Sequence, residues 1–445
     1  MKVAVIGCTH AGTAAILNIK ALYKDAEVTV YERNDNISFL SCGIALNVSG
    51  VVADAQSLFY SSPAALAELG VCTRMQTEVL AVDVVKKTLR AKDLKTGEEF
   101  DDTFDKLVVT TGSWPIVPKF EGGDLENILL SKNYDHSKLI IANAKDAQNV
   151  VVIGAGYIGV ELAEAFEMLG KNTTLIDAES RIMNKYLDKF YTDKAEEAFK
   201  EHGVNLALNQ KVVKFLGDEN GKVKEVVTDK GMYKADLVVL CIGFRPNTDL
   251  FKGQLDMLPN GAIIIDDYMQ TSVKDVFAAG DSCVVSYNPT GEKRYVPLAT
   301  NAVRMGMLVA RNLMEPKLKY LGTQSTSGIK IYDLNIAATG LTEEGAKAAG
   351  FDVGCVQATD NDRAEFMPTF EPATITLVFD KKTRRVLGGQ IISDKDLTQY
   401  MNTLSVVIQN NMTVEELAVV DFFFQPHFNK PWSLLNTVAL AALDK

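Results

Sequence analysis

The chain has 445 residues, 47% hydrophobic and 23% charged, with a net charge of −11. That length accommodates about three domains at the usual ~150 residues each, and the composition is that of a globular protein with ample core. The acidic balance and the lack of any Lys/Arg run argue against nucleic acid or an anionic membrane surface as partner, and no apolar run reaches the roughly 18 residues of a spanning helix.

Lys2–Ile6 is a short apolar strand. The turn Gly7-Cys8-Thr9-His10-Ala11-Gly12 follows, then a helical run through Leu22 and a second strand, Glu27–Glu32, that ends on an acid. This is a βαβ dinucleotide pattern: the glycines turn tightly and admit a pyrophosphate to the helix N-terminus, and the acid accepts from a ribose hydroxyl. Thr9 stands where a middle glycine is usual, while Glu32 lies near the expected ~20-residue offset. The polar residues and glycines within this stretch set it apart from a secretory leader. Next, Ser38–Leu46 places Cys42 between small residues in an apolar segment, a setting in which cysteine is ordinarily a small hydrophobe.

Val79 to Thr111 reads as a β-meander closing on Lys106–Pro115, a buried strand that runs into a small-residue turn. Pro115 and Pro118 predict a linker. A second nucleotide unit is more complete than the first. Asn149–Ile153 is its strand, Gly154-Ala155-Gly156-Tyr157-Ile158-Gly159 carries all three glycines, and a helix over Val160–Leu169 ends at Gly170 as a C′ glycine. The next strand, Asn172–Asp177, ends on an acid, which favours a free 2′-hydroxyl and so NADH over NADPH. Arg181 lies close enough in sequence to soften that preference. Glu161 reads either as a first-turn acid favoured by the helix dipole or as part of a nicotinamide pocket.

The two units form an internal repeat, one inserted in the other. A strand over Leu237–Leu240 leads into Cys241–Asn247, including Gly243, and returns the chain to the first unit. Val276–Ala279 ends on Gly280-Asp281, where Asp281 is a helix N-cap or a ligand residue, and Tyr295–Asn301 precedes a helix over Ala302–Met314. After about residue 321 the pattern becomes α+β. Ile329–Ala338, Ile375–Phe379 and Val386–Ile392 read as strands, and Glu343–Ala349 and Leu397–Gln409 as helices. The aromatic run Phe422–Trp432 is local core or an interface, and the interface is favoured. The six cysteines (Cys8, Cys42, Cys72, Cys241, Cys283, Cys355) show no CxxC or metal-type spacing, so the reading is a reducing cytoplasm with no disulfide framework and no metal.

Two nested nucleotide units, the Thr110-Thr111-Gly112 hinge, Gly280-Asp281 and the α+β segment together resemble the flavin- and pyridine-nucleotide-dependent disulfide reductase superfamily, over essentially the whole chain. The resemblance implies an α/β fold with two nested Rossmann-like FAD and NAD(P)H domains plus a C-terminal α+β dimerisation domain. The divisions it implies are 1–117 and 245–320 for FAD, 118–244 for NADH and 321–445 for dimerisation. Carried over by position, Gly7, Gly12 and Glu32, with Thr9, His10 and Ala11 in the same loop, hold the ADP half of FAD. Thr110, Thr111 and Gly112 line its hinge side, Asp281 accepts from the ribityl chain, and Ala299, Thr300 and Cys42 approach the isoalloxazine. Gly154, Gly156, Ile158, Gly159, Asp177 and Gly243 are implied for NADH, with Glu161 beside the nicotinamide. Tyr157 is implied as a ring that covers the flavin and moves when nicotinamide enters; packing alone is its other reading.

Most members of the superfamily carry a second cysteine five residues after the first, where this chain has Asn47. That departure places the chain beside the single-cysteine branch of NADH peroxidases, water-forming NADH oxidases and coenzyme A-disulfide reductases. Ser41-Cys42-Gly43, His10, Tyr157 and Phe422–Trp432 most resemble the water-forming oxidases. The implied activity is reduction of O2 to water by two NADH through FAD, in a homodimer. Cys42 would cycle between thiolate and sulfenic acid, helped by the positive end of a helix. His10, kept neutral at a helix N-terminus, would act as acid–base catalyst; otherwise it is a loop histidine satisfied by backbone. The peroxidase, a coenzyme A-disulfide reductase using Arg33, and a non-enzymatic NADH-sensing flavoprotein are the alternatives.

Overall fold

The computed structural model describes residues 1–445. The first unit runs from strand β1 (Lys2–Ile6) through helix α1 (His10–Leu22) to strand β2 (Glu27–Glu32), and the segment after β2 leads to the short helix α2 (Ile44–Val48). The second unit repeats the plan as β3 (Asn149–Ile153), α3 (Tyr157–Met168) and β4 (Asn172–Ile176). A later helix, α4 (Ala299–Asn312), packs along α1. The two helices approach closely because Gly306 faces α1: a Cβ there would stand 2.3 Å from the Ala11 carbonyl oxygen.

Each unit is built on a five-stranded parallel sheet. In the first the order is Val276–Ala278, Lys106–Val109, β1, β2, Val71–Met75; in the second it is Asn205–Ala207, β4, β3, Leu237–Leu240, Ile128–Leu130. Strands covered on both faces read as continuous apolar runs, and Val150, Val151 and Val152 of β3 are fully buried. Each such side chain contributes about 1.5–3 kcal/mol relative to exposure.

An antiparallel meander accompanies each sheet, over Thr77–Thr103 in the first unit and Val212–Lys234 in the second. Lys106–Val109, expected to close the first meander, instead pairs in parallel with β1. Its uninterrupted burial suits the centre of a sheet better than an edge. The expected proline linker is partly a ribbon: Ser113–Pro115 pairs antiparallel with Phe244–Pro246, so the outgoing and returning crossings between the units run side by side.

The C-terminal segment forms a five-stranded antiparallel sheet, ordered Ser327–Ile331, Leu334–Gly340, Val386–Ser393, Pro372–Asp380, Val353–Asn361. Ile329–Ala338, expected as one strand, is therefore a hairpin that turns at Tyr332, whose φ is +51°. Helices Gln399–Gln409, Val414–Ala418 and Leu434–Ala442 cover this sheet; the last two were not foreseen. No helix is long and apolar enough to cross a membrane. Phe39, Ile44 and Val48 around α2 share one buried cluster with α3 and with Ile329, Ile331 and Ile336 of the hairpin. This packing joins the Cys42 segment to both the second unit and the C-terminal sheet.

Candidate active site

Both glycine turns are fitted to their sheets in the same way. A Cβ on Gly12 would stand 2.2 Å from the Gly7 carbonyl oxygen, and one on Gly159 1.8 Å from that of Gly154, so each helix starts hard against its strand. The hydroxyl of Thr110 lies 3.0 Å and 2.8 Å from the carbonyl oxygens of Ile6 and Gly7 and pins the first turn. The terminal acids also match. Glu32 accepts from the Cys8 amide at 2.8 Å, and Asp177 accepts from the Ala155 amide. Glu32 is buried and accepts further from the Asn34 amide and side chain. Burial raises its carboxyl above the usual range and these bonds oppose the rise.

The second turn offers open space. Nothing lies within 4 Å of a Cβ built on Gly156, whereas the first unit has the exposed Thr9 in its place. Ile158 and Tyr157 open α3 as Ala11 and His10 open α1. Arg181, expected near this turn, bonds Thr192 and pairs with Glu344 at 2.9 Å. Arg33 is an exposed partner of Glu78 at 3.6 Å.

Between the units lies a charged cluster. Asp281 accepts from the Ser113 hydroxyl at 2.8 Å, and Lys132 donates to the same hydroxyl at 2.9 Å while standing 3.4 Å from Asp281. Lys132 also sits over the Phe244 ring, 4.5 Å from its centroid. Asp281 lies inside a 3₁₀ turn and caps no helix, which removes its N-cap reading. Lys132 and Ser113 were not singled out in the sequence; they reach Asp281 across separations of 149 and 168 residues. Thr111 lies beside this hinge with its hydroxyl buried and unpartnered, and Tyr295 Oη is in the same condition. Gly112 and Gly243 adopt positive φ (+68° and +112°) at the two ends of the crossings.

Cys42 occupies a 3₁₀ turn over Ser41–Gly43 that leads into α2 and is open to solvent. Its thiol is pushed up, first by crowding from surrounding protein and then by Glu161, against a downward pull from Lys132. The expected thiolate-favouring helix terminus is thus outweighed: α2 is barely more than one turn long. Asn47 is tied into the fold, donating to the Val52 carbonyl and accepting from Ser137. The six cysteines are all free.

His10 is the first residue of α1. Burial and Lys132 lower its pKa, and Asp281 opposes the shift. Nδ1 lies 2.8 Å from Tyr60 Oη, while Nε2 is buried without a partner. Tyr157 bonds Ser327 of the hairpin at 2.8 Å and packs on Tyr186 with ring centroids 4.8 Å apart. Glu161, expected on the first turn of α3, falls one turn in because the helix starts at Tyr157 rather than Val160; its carboxyl is pushed up to about 7 by burial and then by Glu164. Glu161 and Thr300 line a polar cavity of about 470 Å³ with Ser327 and Lys330. Because α4 begins at Ala299, three residues earlier than expected, Ala299 and Thr300 form its first turn.

Residues 1–306 match the family described as pyridine nucleotide-disulphide oxidoreductase, and residues 326–434 match its dimerisation domain. The chain is 57% identical over 444 residues to an NADH oxidase of Enterococcus faecalis, covering 100% of both proteins. It is 41% identical over 458 residues to an NADH oxidase of Streptococcus pyogenes, again with 100% of each covered. Among solved structures, a water-forming NADH oxidase from Lactobacillus brevis bound to NADH superposes with a TM-score of 0.98 at 54% identity, over 100% of this chain and 98% of that one.

Proposed function

The chain belongs to the pyridine nucleotide-disulphide oxidoreductase family, and from that premise we propose that it is a FAD-dependent, water-forming NADH oxidase in which Cys42 works as the only redox thiol. The observation that carries the single-thiol reading is that Cys42 is free and exposed while Asn47, where a partner cysteine would stand, is locked into the fold. The likeness to oxidases named for NADH and for water formation supports the overall reaction. The exposed pair of Arg33 with Glu78 gives coenzyme A phosphates no basic pocket.

The residues present fit FAD. The Gly7–Gly12 turn and the buried acid Glu32 suit its ADP half, and Thr9, Ala11, Thr110 and Gly112 complete the wall. Asp281, Lys132 and Ser113 form a polar cluster suited to the ribityl chain, and the unpartnered Thr111 hydroxyl, Tyr295 hydroxyl and His10 Nε2 need an acceptor or donor from a ligand. Bound there, FAD would supply hydride acceptance from NADH and electron transfer to O2. Gly154, Gly156, Ile158, Gly159, Asp177 and Gly243 would seat NADH, with Glu161, Thr300 and the Tyr157 ring at its nicotinamide end. The domain divisions that go with this reading are 1–117 and 245–320 for FAD, 118–244 for NADH and 321–445 for dimerisation.

The protein's own chemistry is at sulfur. The first NADH reduces O2 to H2O2. Cys42 Sγ attacks one peroxide oxygen, the O–O bond breaks, sulfenic acid forms, and the other oxygen leaves as water with the thiol proton. The hydride of the second NADH and one further proton return Cys–SOH to the thiol and release the second water. The sum is two NADH, two protons and one O2 giving two NAD⁺ and two water. His10, neutral at its helix terminus, moves the proton between sulfur and the departing oxygen. The chain functions as a homodimer through the C-terminal domain, where Phe423, Phe428 and Trp432 in the loop between its last two helices are 70%, 65% and 56% exposed, a set of aromatics that needs a covering surface.

Measuring O2 consumed against NADH oxidised tests the reaction. The expected ratio is about one O2 per two NADH with no peroxide left. Peroxide-dependent NADH loss without O2 uptake would make the protein a peroxidase instead.

A further inference from the structure

His10 commits one ring nitrogen and leaves the other bare. Nδ1 meets Tyr60 Oη at 2.8 Å, the two rings lie parallel to within 4°, and Nε2 is buried with no protein partner. Tyr60 is itself fixed from both sides. Phe59 bridges to Phe39 and packs against Phe39 and Tyr134. Ser61 exchanges two bonds of 2.8 Å with Ser38 Oγ. Ser38 and Phe39 belong to the segment that carries Cys42, so Tyr60 fastens the thiol's own segment to the first residue of α1.

Beyond Tyr60 lies Thr13, whose hydroxyl neighbours the Tyr60 oxygen and donates to the Cys8 carbonyl at 3.4 Å. A carbonyl can only accept. With Thr13 donating to Cys8, its Oγ1 is free to accept from the Tyr60 hydroxyl, which would leave the Tyr60 oxygen to accept from Nδ1–H.

We propose that Tyr60 is a positioning residue for His10, holding the imidazole with its proton on Nδ1 and presenting a bare Nε2 as the base that serves Cys42. The inference rests on the reading of Cys42 as the peroxide-reducing thiol. Which nitrogen carries the proton is set by the bond the other side of the ring makes, and here that bond is made by Tyr60. Asp281 and Lys132 act on both His10 and Cys42. Only the thiolate attacks, so a thiol crowded by protein needs a base. The Sγ proton passes to Nε2, an S–O bond forms as the O–O bond breaks, and sulfur gives up the two electrons that peroxide gains. Nε2 then returns the proton to the leaving oxygen, which departs as water.

The chain has four histidines, so ¹⁵N-histidine NMR of the FAD-loaded enzyme reads the tautomer directly, with His10 identified by the signal lost in His10→Gln. The expected wild-type form is protonated at Nδ1. Tyr60→Phe, which keeps the stacked ring, should move the proton largely to Nε2 and raise the H2O2 released per O2 several-fold. Thr13→Val, which removes the outer acceptor, should move the tautomer the same way to a smaller extent. A wild-type proton on Nε2, or a tautomer unmoved by both substitutions, overturns the proposal. If the tautomer behaves as stated yet His10→Gln makes water without peroxide, Tyr60 keeps its positioning role and the base function of His10 is what fails.

Discussion

The two nucleotide units carry the same motif in the same register, with different side chains at its key positions. Gly7 matches Gly154, Gly12 matches Gly159, and in each the closing acid accepts from the amide after the first glycine. The fourth position of the turn is His10 in one and Tyr157 in the other, and each is the first residue of its helix. A side chain at a helix start projects from the ligand end of the unit, which makes this position suited to chemistry. One unit fills it with an imidazole and the other with an aromatic ring held by the hairpin. The third position differs in the opposite sense: Gly156 leaves room for close approach, and Thr9 does not.

That comparison can be broken at several points. The largest effect is expected on the first side, where Cys42→Ser should leave NADH oxidation and O2 uptake running but divert nearly all of the O2 to H2O2, scored by a peroxide assay at the end of the reaction. Water as the product of that variant would show that another group reduces peroxide. Next comes Gly156→Thr, which gives the second unit the first unit's residue. The apoprotein has space for it, so bound flavin should be retained while the NADH Kd rises about 100-fold, or ~2.8 kcal/mol, by anaerobic titration.

Asp177→Ala should raise the KM for NADH about tenfold and narrow the preference over NADPH. It removes the proposed ribose acceptor and leaves the Ala155 amide without its partner, a loss of about 1–3 kcal/mol if no water replaces it. An unchanged ratio of kcat/KM for the two cofactors would move selectivity elsewhere.

The smallest effect is electrostatic. The Glu161 carboxyl sits at about 7; below that pH it is neutral and leaves Cys42 alone, and above it the charge pushes the thiol up. Iodoacetamide labelling of the Cys42 peptide should rise with pH in the wild type, and Glu161→Gln should label faster, with the gap opening as pH climbs through about 7. Parallel curves at every pH would separate the two groups.

The βαβ units were legible because their signals are local: glycine turn, apolar strand and terminal acid fall within about 30 residues. The absence of a neighbouring partner cysteine was legible for a similar reason, since Asn47 stands five residues from Cys42. The partners were not. Tyr60, Lys132, Ser113 and Ser327 reach the site across 50 to 170 residues, and nothing in their own neighbourhoods marks them. The helix starts of α3 and α4 were placed three residues late because the residues before them, Gly156 and Leu298, provide no capping side chain to mark the start. The hairpin at Tyr332 was read as one strand because its turn contains neither glycine nor proline, and a non-glycine residue at positive φ leaves no compositional trace. The upward shift of the Cys42 thiol was hidden for a different reason: it comes first from burial by the surrounding fold and then from Glu161, which belongs to the other nucleotide unit.

The side-by-side crossings at Ser113–Pro115 and Phe244–Pro246 have a further consequence. Because the strand leaving the first unit and the strand returning to it are hydrogen-bonded neighbours, the intervening stretch is spliced into its host at a single point on the surface. Units joined in this way can be exchanged between genes without rethreading either sheet. A chimaera that takes everything between these two strands from a relative with another cofactor preference therefore inherits that preference while keeping its own flavin chemistry.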